Sequence, residues 1–260
     1  MVDDLEPGAL RDRLAGGWGS SIRVLGSTTS TMDEASKDAA AGADDGHVVL
    51  ADQQTSGRGA HGRQWLSPPG TDLYLSVVVR PAVAPASIAL VTLATGLGVR
   101  DAAAALLPGR SVQVKWPNDI WVERRKCAGI LVESRTLGSR IDSLVIGVGL
   151  NVNRTQWPPE LAGAATSLRT QCDGGERFDR AEVLATLLSH MERWVTLFIE
   201  GGAPAVVNAL QPNLALVGER VHWEDDDGVF EGIGQDGTAR VRTDAGLVSL
   251  HAARIEPAER

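Results

Sequence analysis

The sequence predicts an α/β (α+β) fold, in which a mixed β-sheet packed with helices precedes a small C-terminal β-barrel. Between residues 47 and 152, apolar and β-branched runs alternate with helical segments, as expected for a sheet covered by helices. After Gly218, short strand candidates are separated by DDDG, DG and DAG turns, which is typical of an antiparallel meander. We therefore expect two domains, covering residues 1–213 and 214–260.

The individual elements follow from composition and periodicity. Thr31 begins a segment with Asp33 and Glu34 in its first turn and alanines further on, which indicates a capped helix. Helices are predicted at residues 31–41, 86–107, 180–200 and 204–210. Strands are predicted at residues 47–54, 72–80, 112–116, 128–134 and 143–152, and in the meander at 219–224, 228–235, 238–243 and 247–255. Residues 154–176 are rich in Pro, Gly and polar side chains and are predicted to form a surface loop.

Composition restricts the functional class. The 260 residues are 43% hydrophobic and 22% charged, which is ordinary for a soluble globular protein. A formal net charge of −8 argues against binding to nucleic acid, because phosphate contacts need clustered Lys and Arg. Cys127 and Cys172 lie far apart without metal-type spacing, and no signal segment is evident, so a reduced, cytoplasmic protein is predicted. No uninterrupted apolar run reaches the roughly 18 residues of a spanning helix, so no membrane association is expected.

Residues 55–65, with the sequence TSGRGAHGRQW, combine three glycines and two arginines directly after a predicted strand. Glycines let backbone N–H groups approach a ligand, and Arg58 and Arg63 offer planar guanidinium groups matched to phosphate or carboxylate oxygens. No Gly-Lys-Ser/Thr follows, so the segment is not a Walker A loop. An ordinary turn is the alternative, but an anionic ligand fits the composition best.

A second polar cluster comprises KWPNDI, residues 115–120, and RRKCAGILVES, residues 124–134. The Pro-Asn pair predicts a tight turn that presents Lys115 and Asp119 at the end of a strand rather than in the core. A surface ion pair is the alternative for these two residues. Lys126 precedes an apolar strand, where a partly desolvated ammonium has a stronger electrostatic effect. Near a phosphate-binding loop, Asp119 also suggests Mg²⁺, which is usually held by one or two carboxylates and phosphate oxygens.

Two further segments contain candidate ligand contacts. In GVGLNVN, residues 147–153, Asn151 either caps the following turn or hydrogen-bonds a nucleotide. In STTST, residues 27–31, the hydroxyl groups either cap a helix or meet a ligand with a polar cyclic head. No Ser/His/Asp or Cys/His order is evident, and the five histidines lack metal-ligand spacing. The predicted site therefore positions and neutralises charge rather than supplying a nucleophile.

These segments together resemble a known family. The segment GRGAHGRQW resembles the GRGRRGRxW signature of biotin protein ligases, and the other segments follow in the order found in that family: LYLS (73–76), KWPNDI, KCAGILVE and GVGLNVN. The resemblance spans nearly the whole chain and implies that the C-terminal barrel is SH3-like.

The resemblance implies a two-step ligase. Biotin and MgATP give biotinyl-5′-AMP and pyrophosphate, and the acyl group then passes to a lysine of a biotin carboxyl carrier protein. ATP and biotin are therefore the expected substrates, Mg²⁺ the expected metal and the carrier protein the expected partner. The sequence has no recognisable N-terminal helix-turn-helix, so a ligase without operator binding is expected, either as a monomer or as a weak homodimer.

The resemblance also assigns expected roles by position. Biotin binding is expected of Ser30, Thr31, Gln54, Gly57, Arg58, Lys126 and Gly129. ATP or adenylate binding is expected of Arg63, Trp65, Lys115 and Asn151, and Mg²⁺ binding of Asp119. Lys126, Arg58 and Lys115 are the expected catalytic residues, and residues 55–65 form a lid whose glycines make it mobile when the site is empty.

One position departs from the family pattern. Ala60, followed by His61, stands where the family usually has a second arginine, and the loss of that cation predicts faster escape of the adenylate. Two alternatives to a biotin ligase remain at this point. A lipoate protein ligase shares the fold and the adenylate chemistry, and a catalytically silent module would bind biotin or nucleotide without turning them over.

Overall fold

Two β-sheets and the helices packed on them make up the protein in the computed structural model, which describes residues 4–258 except 7, 9, 11, 12, 15, 138 and 139. The first sheet contains seven strands: Ile22–Thr28 (β1), Val48–Gln54 (β2), Leu73–Val79 (β3), Val112–Lys115 (β4), Asp119–Val122 (β5), Arg125–Leu137 (β6) and Arg140–Leu150 (β7). The second contains five: Arg220–Trp223 (β8), Asp226–Ile233 (β9), Ala239–Thr243 (β10), Gly246–Leu250 (β11) and Glu256–Pro257 (β12).

The helices lie on both faces of the first sheet. The α-helices of the described residues are Thr31–Ala40 (α1), Ile88–Leu106 (α2), Leu168–Gln171 (α3), Arg180–Gly201 (α4) and Ala203–Leu210 (α5). Short 3-10 helices are present at Ala60–Gly62, Pro85–Ser87 and Gln211–Asn213.

The strand order of the first sheet is β1-β2-β3-β7-β6-β5-β4, with β1 and β2 parallel and all other neighbours antiparallel. Successive side chains alternate between the two faces of each strand. Val49 on β2, Val78 on β3 and Val145 on β7 accordingly pack with α1 on one face. Alternate residues of these strands join the larger core, which contains α2 and α4, on the other face.

Helix α2 is long and apolar because it is a core helix. Residues 85–106 are long and apolar enough to cross a membrane, but 61% of their most apolar 18-residue stretch is buried inside the protein. Gly98 lies where α2 meets α4, and a Cβ at that position would stand 2.5 Å from the Cα atom of Met191. The missing side chain therefore lets the two helices approach closely and bury both apolar faces.

Most of the predicted elements are confirmed, and three strands were missed: β1, β5 and the two-residue strand β12, which begins just after the predicted strand at 247–255. β1 escaped prediction because it is a half-exposed edge strand that contains Arg23 and Gly26 and lacks a continuous apolar pattern. β5 has only four residues and follows directly on the turn after β4, so no separate apolar run marks it. The predicted loop at residues 154–176 is mostly irregular but contains the short helix α3.

The C-terminal meander is confirmed as an antiparallel sheet with the order β11-β10-β9-β8-β12. Among the described residues, no strand pairing joins β11 to β12, so hydrogen bonds do not close this sheet into a complete barrel. A bridge between Val114 and Leu214 connects the end of the helical segment to the edge strand β4. The domain boundary after residue 213 stays a prediction.

Candidate active site

Two adjoining pockets lie where β5, β6 and β7 meet residues 55–65, the segment called the lid below. The inner pocket, with a cavity volume of about 40 Å³, is bordered by the start of α1 and by strands β2, β6 and β7. The outer pocket, with a cavity volume of about 270 Å³, lies between the lid, β4 and β5, residues 151–165 and the C-terminal sheet. Gly59, Ala60, Trp65, Asn118 and Lys126 line both pockets and form the wall between them.

The pairing of β5, β6 and β7 places three residues side by side beneath this wall. Asp119 on β5 pairs with Gly129 on β6, and Gly129 pairs with Gly149 on β7. The Trp65 indole lies against these two glycines, and a Cβ at Gly149 would stand only 2.3 Å from Trp65 Cε2. Trp65 Nε1 is buried and has no hydrogen-bond partner among the described residues, so a donor within the wall is available to a ligand.

Lys126 is the cation of the wall. Its Nζ lies 2.6 Å from Asp119 Oδ1 and 5.2 Å from the centroid of the Trp65 ring. The side chain is 30% exposed, so the ammonium is partly desolvated while remaining open to a ligand, as the sequence predicted. Asp119 holds this ammonium in place, because opposite charges attract at contact distance.

Lys115 differs from its prediction. It is the last residue of β4, as expected, but the prediction that the turn presents it outside the core is wrong, because it is only 5% exposed. Its Nζ lies 2.7 Å from Glu256 Oε1 of β12 and 5.1 Å from the Trp121 ring centroid. Burial lowers the pKa of Lys115, and the Glu256 carboxylate offsets part of that effect. The C-terminal sheet therefore covers this lysine and pairs it with a carboxylate.

Near the start of α1, the inner pocket is lined by hydroxyl and amide groups. Thr31 donates from both its backbone nitrogen and its Oγ1 to Gln54 Oε1, at 2.8 and 3.2 Å. Gln54 Nε2 donates to Ser67 Oγ at 3.0 Å. Ser30 lines the pocket and also caps α1 by accepting from the backbone nitrogen of Met32, so both uses considered for this hydroxyl are compatible.

The lid folds as a small hairpin and contributes Gly59, Ala60 and Trp65 to the wall. The backbone nitrogen of Gly59 donates to Arg63 O at 2.7 Å, and that of Trp65 donates to Gly57 O at 2.8 Å. A Cβ on Gly57 would stand 2.6 Å from Trp65 O, so glycine at this position permits the close approach of the two sides of the hairpin. Arg58 extends from the lid to the carboxylate of Glu133.

Asn151 serves the structure of the outer pocket. Its side-chain nitrogen donates to Thr166 O at 2.9 Å, and only 3% of the residue is exposed. This bond ties the end of β7 to the segment that leads into α3. The turn-stabilising alternative is thus present in the structure, while Asn151 also lines the outer pocket.

Comparison with known proteins shows which family the chain resembles. Residues 23–151 match the biotin/lipoate A/B protein ligase family. A biotin–[acetyl-CoA-carboxylase] ligase of Mycobacterium tuberculosis is 36% identical over 85% of this chain and 81% of its own length. The bifunctional ligase/repressor BirA of Bacillus subtilis is 33% identical over 90% of this chain and 72% of its own length. The chain belongs to the biotin protein ligase family.

Solved structures of biotin protein ligases have the same fold. The Aquifex aeolicus enzyme in complex with biotin and ATP matches with a TM-score of 0.79 and 26% identity over 92% of this chain and 99% of that one. The Leishmania major enzyme in complex with biotinyl-5-AMP matches with a TM-score of 0.62 and 26% identity over 89% of this chain and 99% of that one. The predicted fold class is therefore confirmed.

The structure brings nearly all the residues expected of a biotin protein ligase together. Every predicted site residue except Gly57 lines one or both pockets: Ser30, Thr31, Gln54, Arg58, Arg63, Trp65, Lys115, Asp119, Lys126, Gly129 and Asn151.

The outer pocket also has lining residues that were not predicted, among them the charged and aromatic side chains of Arg154, Trp157, Arg254 and Glu256. Arg154 is buried against Asp72 at 2.5 Å, and its guanidinium stacks on the Trp157 ring at 4.8 Å. An Arg and a Trp in a loop otherwise rich in small and polar residues were a usable signal for this pair. Arg254 and Glu256 had no such signal, because they reach the pocket from the second sheet.

Proposed function

We propose that this protein is an ATP-dependent ligase that activates biotin as biotinyl-5′-AMP and transfers the biotinyl group to a lysine of a biotin carboxyl carrier protein. Membership of the biotin protein ligase family supports this activity. The observation that favours it most within the chain is the position of Lys126, whose ammonium lies in the wall shared by the two pockets. A cation there can contact groups on both sides while they react.

In this proposal the inner pocket takes biotin, and the outer pocket takes the nucleotide. The hydroxyl and amide groups of Ser30, Thr31 and Gln54 suit the polar ureido head of biotin. Lys115 and Arg63 supply positive charge for the triphosphate, and the Trp65 indole covers the adenylate from the lid. Asn151 holds the nucleotide side of the pocket in shape through its bond to Thr166.

The first step joins two anions. A biotin carboxylate oxygen attacks the α-phosphorus of ATP, the bond from that phosphorus to the bridging oxygen breaks, and pyrophosphate leaves. The protein supplies no nucleophile. Lys126 and Arg58 reduce the repulsion between the carboxylate and the phosphate, and Lys126 stabilises charge on the α-phosphate oxygens as the new bond forms.

The second step transfers the biotinyl group. The amine of the acceptor lysine attacks the carbonyl carbon of the mixed anhydride, loses a proton, and AMP leaves as the amide forms. Until then the lid keeps water away from the anhydride.

The residues of the outer pocket fit Mg²⁺ as a companion of ATP. Asp119 offers one carboxylate beside the proposed phosphate site, and Mg²⁺ is commonly bound by one or two carboxylates with phosphate oxygens and water. The described residues contain no group of three or more His, Cys, Asp or Glu side chains able to hold a metal by themselves. Bound Mg²⁺ would neutralise phosphate charge, and Asp119, which also contacts Lys126, would orient it.

Biotin-dependent exchange between ATP and labelled pyrophosphate tests the first step. We expect Lys126→Ala to lower the exchange rate by about 100-fold or more, since removal of one transition-state donor typically costs this much. Lys37→Ala removes an exposed lysine that pairs with Glu34 away from both pockets, and it serves as the matched control. Exchange within a few-fold of wild type in Lys126→Ala would refute the proposed role.

Pyrophosphate exchange and a carrier-labelling assay together separate the alternatives. The family match covers lipoate as well as biotin ligases, so a carrier domain should be incubated with ATP and either acid, and the product weighed by mass spectrometry. A biotin ligase adds biotin alone, whereas a silent binding module binds ligand without any exchange.

We further propose a cytoplasmic protein, monomeric or weakly dimeric, that does not bind nucleic acid.

A further inference from the structure

The guanidinium of Arg58 is held by two carboxylates from different parts of the fold. Its Nη1 and Nη2 donate to Glu133 Oε1 and Oε2 at 2.9 and 3.0 Å, which is a bidentate geometry. Its Nη2 also lies 3.0 Å from Asp33 Oδ1. Glu133 belongs to β6 and Asp33 to the first turn of α1, so this one side chain connects the lid to both elements.

These contacts matter because the tip of the lid, residues 58–63, has no other ion pair to the rest of the described chain, whereas Trp65 at the end of the lid packs on Gly129 and Gly149. The base of the lid is fixed by backbone bonds from Thr55 to Thr28 and from Ser56 to Thr29. Within the tip, the backbone bonds and the bond from Arg63 Nε to Ala60 O join lid residues to each other. In the part of the chain that the structure describes, Arg58 makes the side-chain ion pairs that join this tip to the body of the protein.

We propose that Glu133 and Asp33 form a latch that holds the lid closed over the two pockets. Neither carboxylate lines a pocket, so both are positioning residues that act through Arg58. The latch fixes Arg58 above the inner pocket and sets how often the lid opens. In the proposed function, on which this consequence rests, the latch controls how long the adenylate is retained before transfer.

Amide hydrogen exchange of the full-length protein without substrates tests the latch directly. In Glu133→Gln and in Asp33→Asn, we expect the hydrogen-bonded amides of Gly59 and Trp65 to exchange about two- to fivefold faster, the range for loss of a partly exposed ion pair. Unchanged exchange at both amides in both variants would overturn the latch.

Two control variants separate the latch from general effects of charge. Glu219→Gln breaks another bidentate pair, with Arg124 at 2.7 and 2.9 Å, and neither of these residues lines a pocket or belongs to the lid. Glu34→Gln removes the neighbouring acid in the first turn of α1. Native Glu34 contacts Arg23 and Lys37 and does not contact Arg58. Lid amides should exchange at the wild-type rate in both controls, and equal acceleration in the controls would also overturn the proposal.

A second measurement links the latch to the proposed reaction. Purified biotinyl-5′-AMP should dissociate about two- to fivefold faster from Glu133→Gln than from wild type, and Glu133→Asp should recover part of the difference because it keeps the charge. If no adenylate is formed or bound by the wild type, the proposed function fails, while the exchange experiment still decides whether the latch exists. Adenylate release at the wild-type rate from a variant with a faster-exchanging lid would refute the control of retention.

Discussion

The contact between Trp65 and Gly149 gives a sharp test of the wall between the pockets. We predict that Gly149→Ala displaces the indole, because an added Cβ would stand 2.3 Å from Trp65 Cε2 and 2.4 Å from Nε1. Gly149 lies within β7 and does not have a positive φ, so its backbone accepts alanine. The effect of the substitution therefore comes from the collision with the ring.

The size of the effect follows from the geometry. Carbon atoms in favourable contact are roughly 3.5–4.0 Å apart, so the ring must move by about 1 Å or more. The tryptophan cannot move towards the sheet, since Gly129 also lies against it, with its own Cβ position 2.8 Å from Trp65 Cζ3. Overpacking of this kind costs about 1–3 kcal/mol. We expect that loss in the free energy of unfolding, in the affinity for the adenylate, or divided between them.

Chemical denaturation and equilibrium binding of biotinyl-5′-AMP measure the two contributions. Gly26→Ala is the control, because no heavy atom lies within 4 Å of its Cβ position. A double-mutant cycle with Trp65→Ala is decisive, since alanine at position 149 should cost nothing further once the indole is removed. If the cost of Gly149→Ala is the same in both backgrounds, Trp65 is not the cause and the described wall is wrong.

Three further predictions concern charges around the pockets. Glu256→Gln should lower the free energy of unfolding by about 2 kcal/mol near pH 7, because it removes the counter-charge of the buried Lys115 ammonium, and chemical denaturation measures the loss. Ala60→Arg should slow adenylate dissociation about tenfold through a charge-assisted hydrogen bond, as measured by release of labelled adenylate. Asp72→Asn should lower the free energy of unfolding by about 3 kcal/mol, because Arg154 is buried against that carboxylate, and urea denaturation measures the loss.

The effect of Glu256→Gln has a defined pH dependence. Burial raises the pKa of Glu256, but the hydrogen bond and charge of Lys115 outweigh it and hold the pKa below the ordinary value of 4.5. A carboxyl group with a lowered pKa contributes stability above its unfolded pKa, and that contribution is lost as the pH falls. The stability difference between wild type and Glu256→Gln should therefore be full above pH 4.5 and shrink below it; a constant difference would contradict the assignment.

The other two predictions have their own controls. Ala60→Gln adds a long polar side chain without charge, so it should not slow adenylate release as arginine does; equal slowing would show that charge is not the cause. Asp142→Asn removes a more exposed carboxylate that pairs with Arg135 and Arg80, and it should change stability by less than about 1 kcal/mol. If Asp72→Asn lowered the free energy of unfolding by as little as Asp142→Asn does, the buried pair of Asp72 with Arg154 would contribute little.

Local patterns were sufficient to predict most of the elements and the segments of the site. Apolar runs located β2, β3 and α2, and the segments with Gly, Lys and Asn at strand ends located both pockets. These predictions succeed because strand ends and turns are encoded by neighbouring residues. The prediction that Lys115 lies outside the core failed because its surroundings are not encoded locally: its partner Glu256 lies 141 positions away. The latch residue Glu133 lies 75 positions from Arg58 and was missed for the same reason.

The counter-ions explain how an acidic chain keeps a cationic site stable. Arg58 faces Glu133, Lys115 faces Glu256 and Lys126 faces Asp119, so each cation has a carboxylate at contact distance. Isolated charges at these positions would lose hydration without compensation, which is costly. An anionic ligand must therefore compete with the carboxylates, and it gains only the difference between the two interactions. A single small anion competes poorly at one cation, whereas a carboxylate and a triphosphate bound side by side compete at several cations together. The arrangement thus favours joint occupation of the two pockets, which is the condition for the reaction proposed between them.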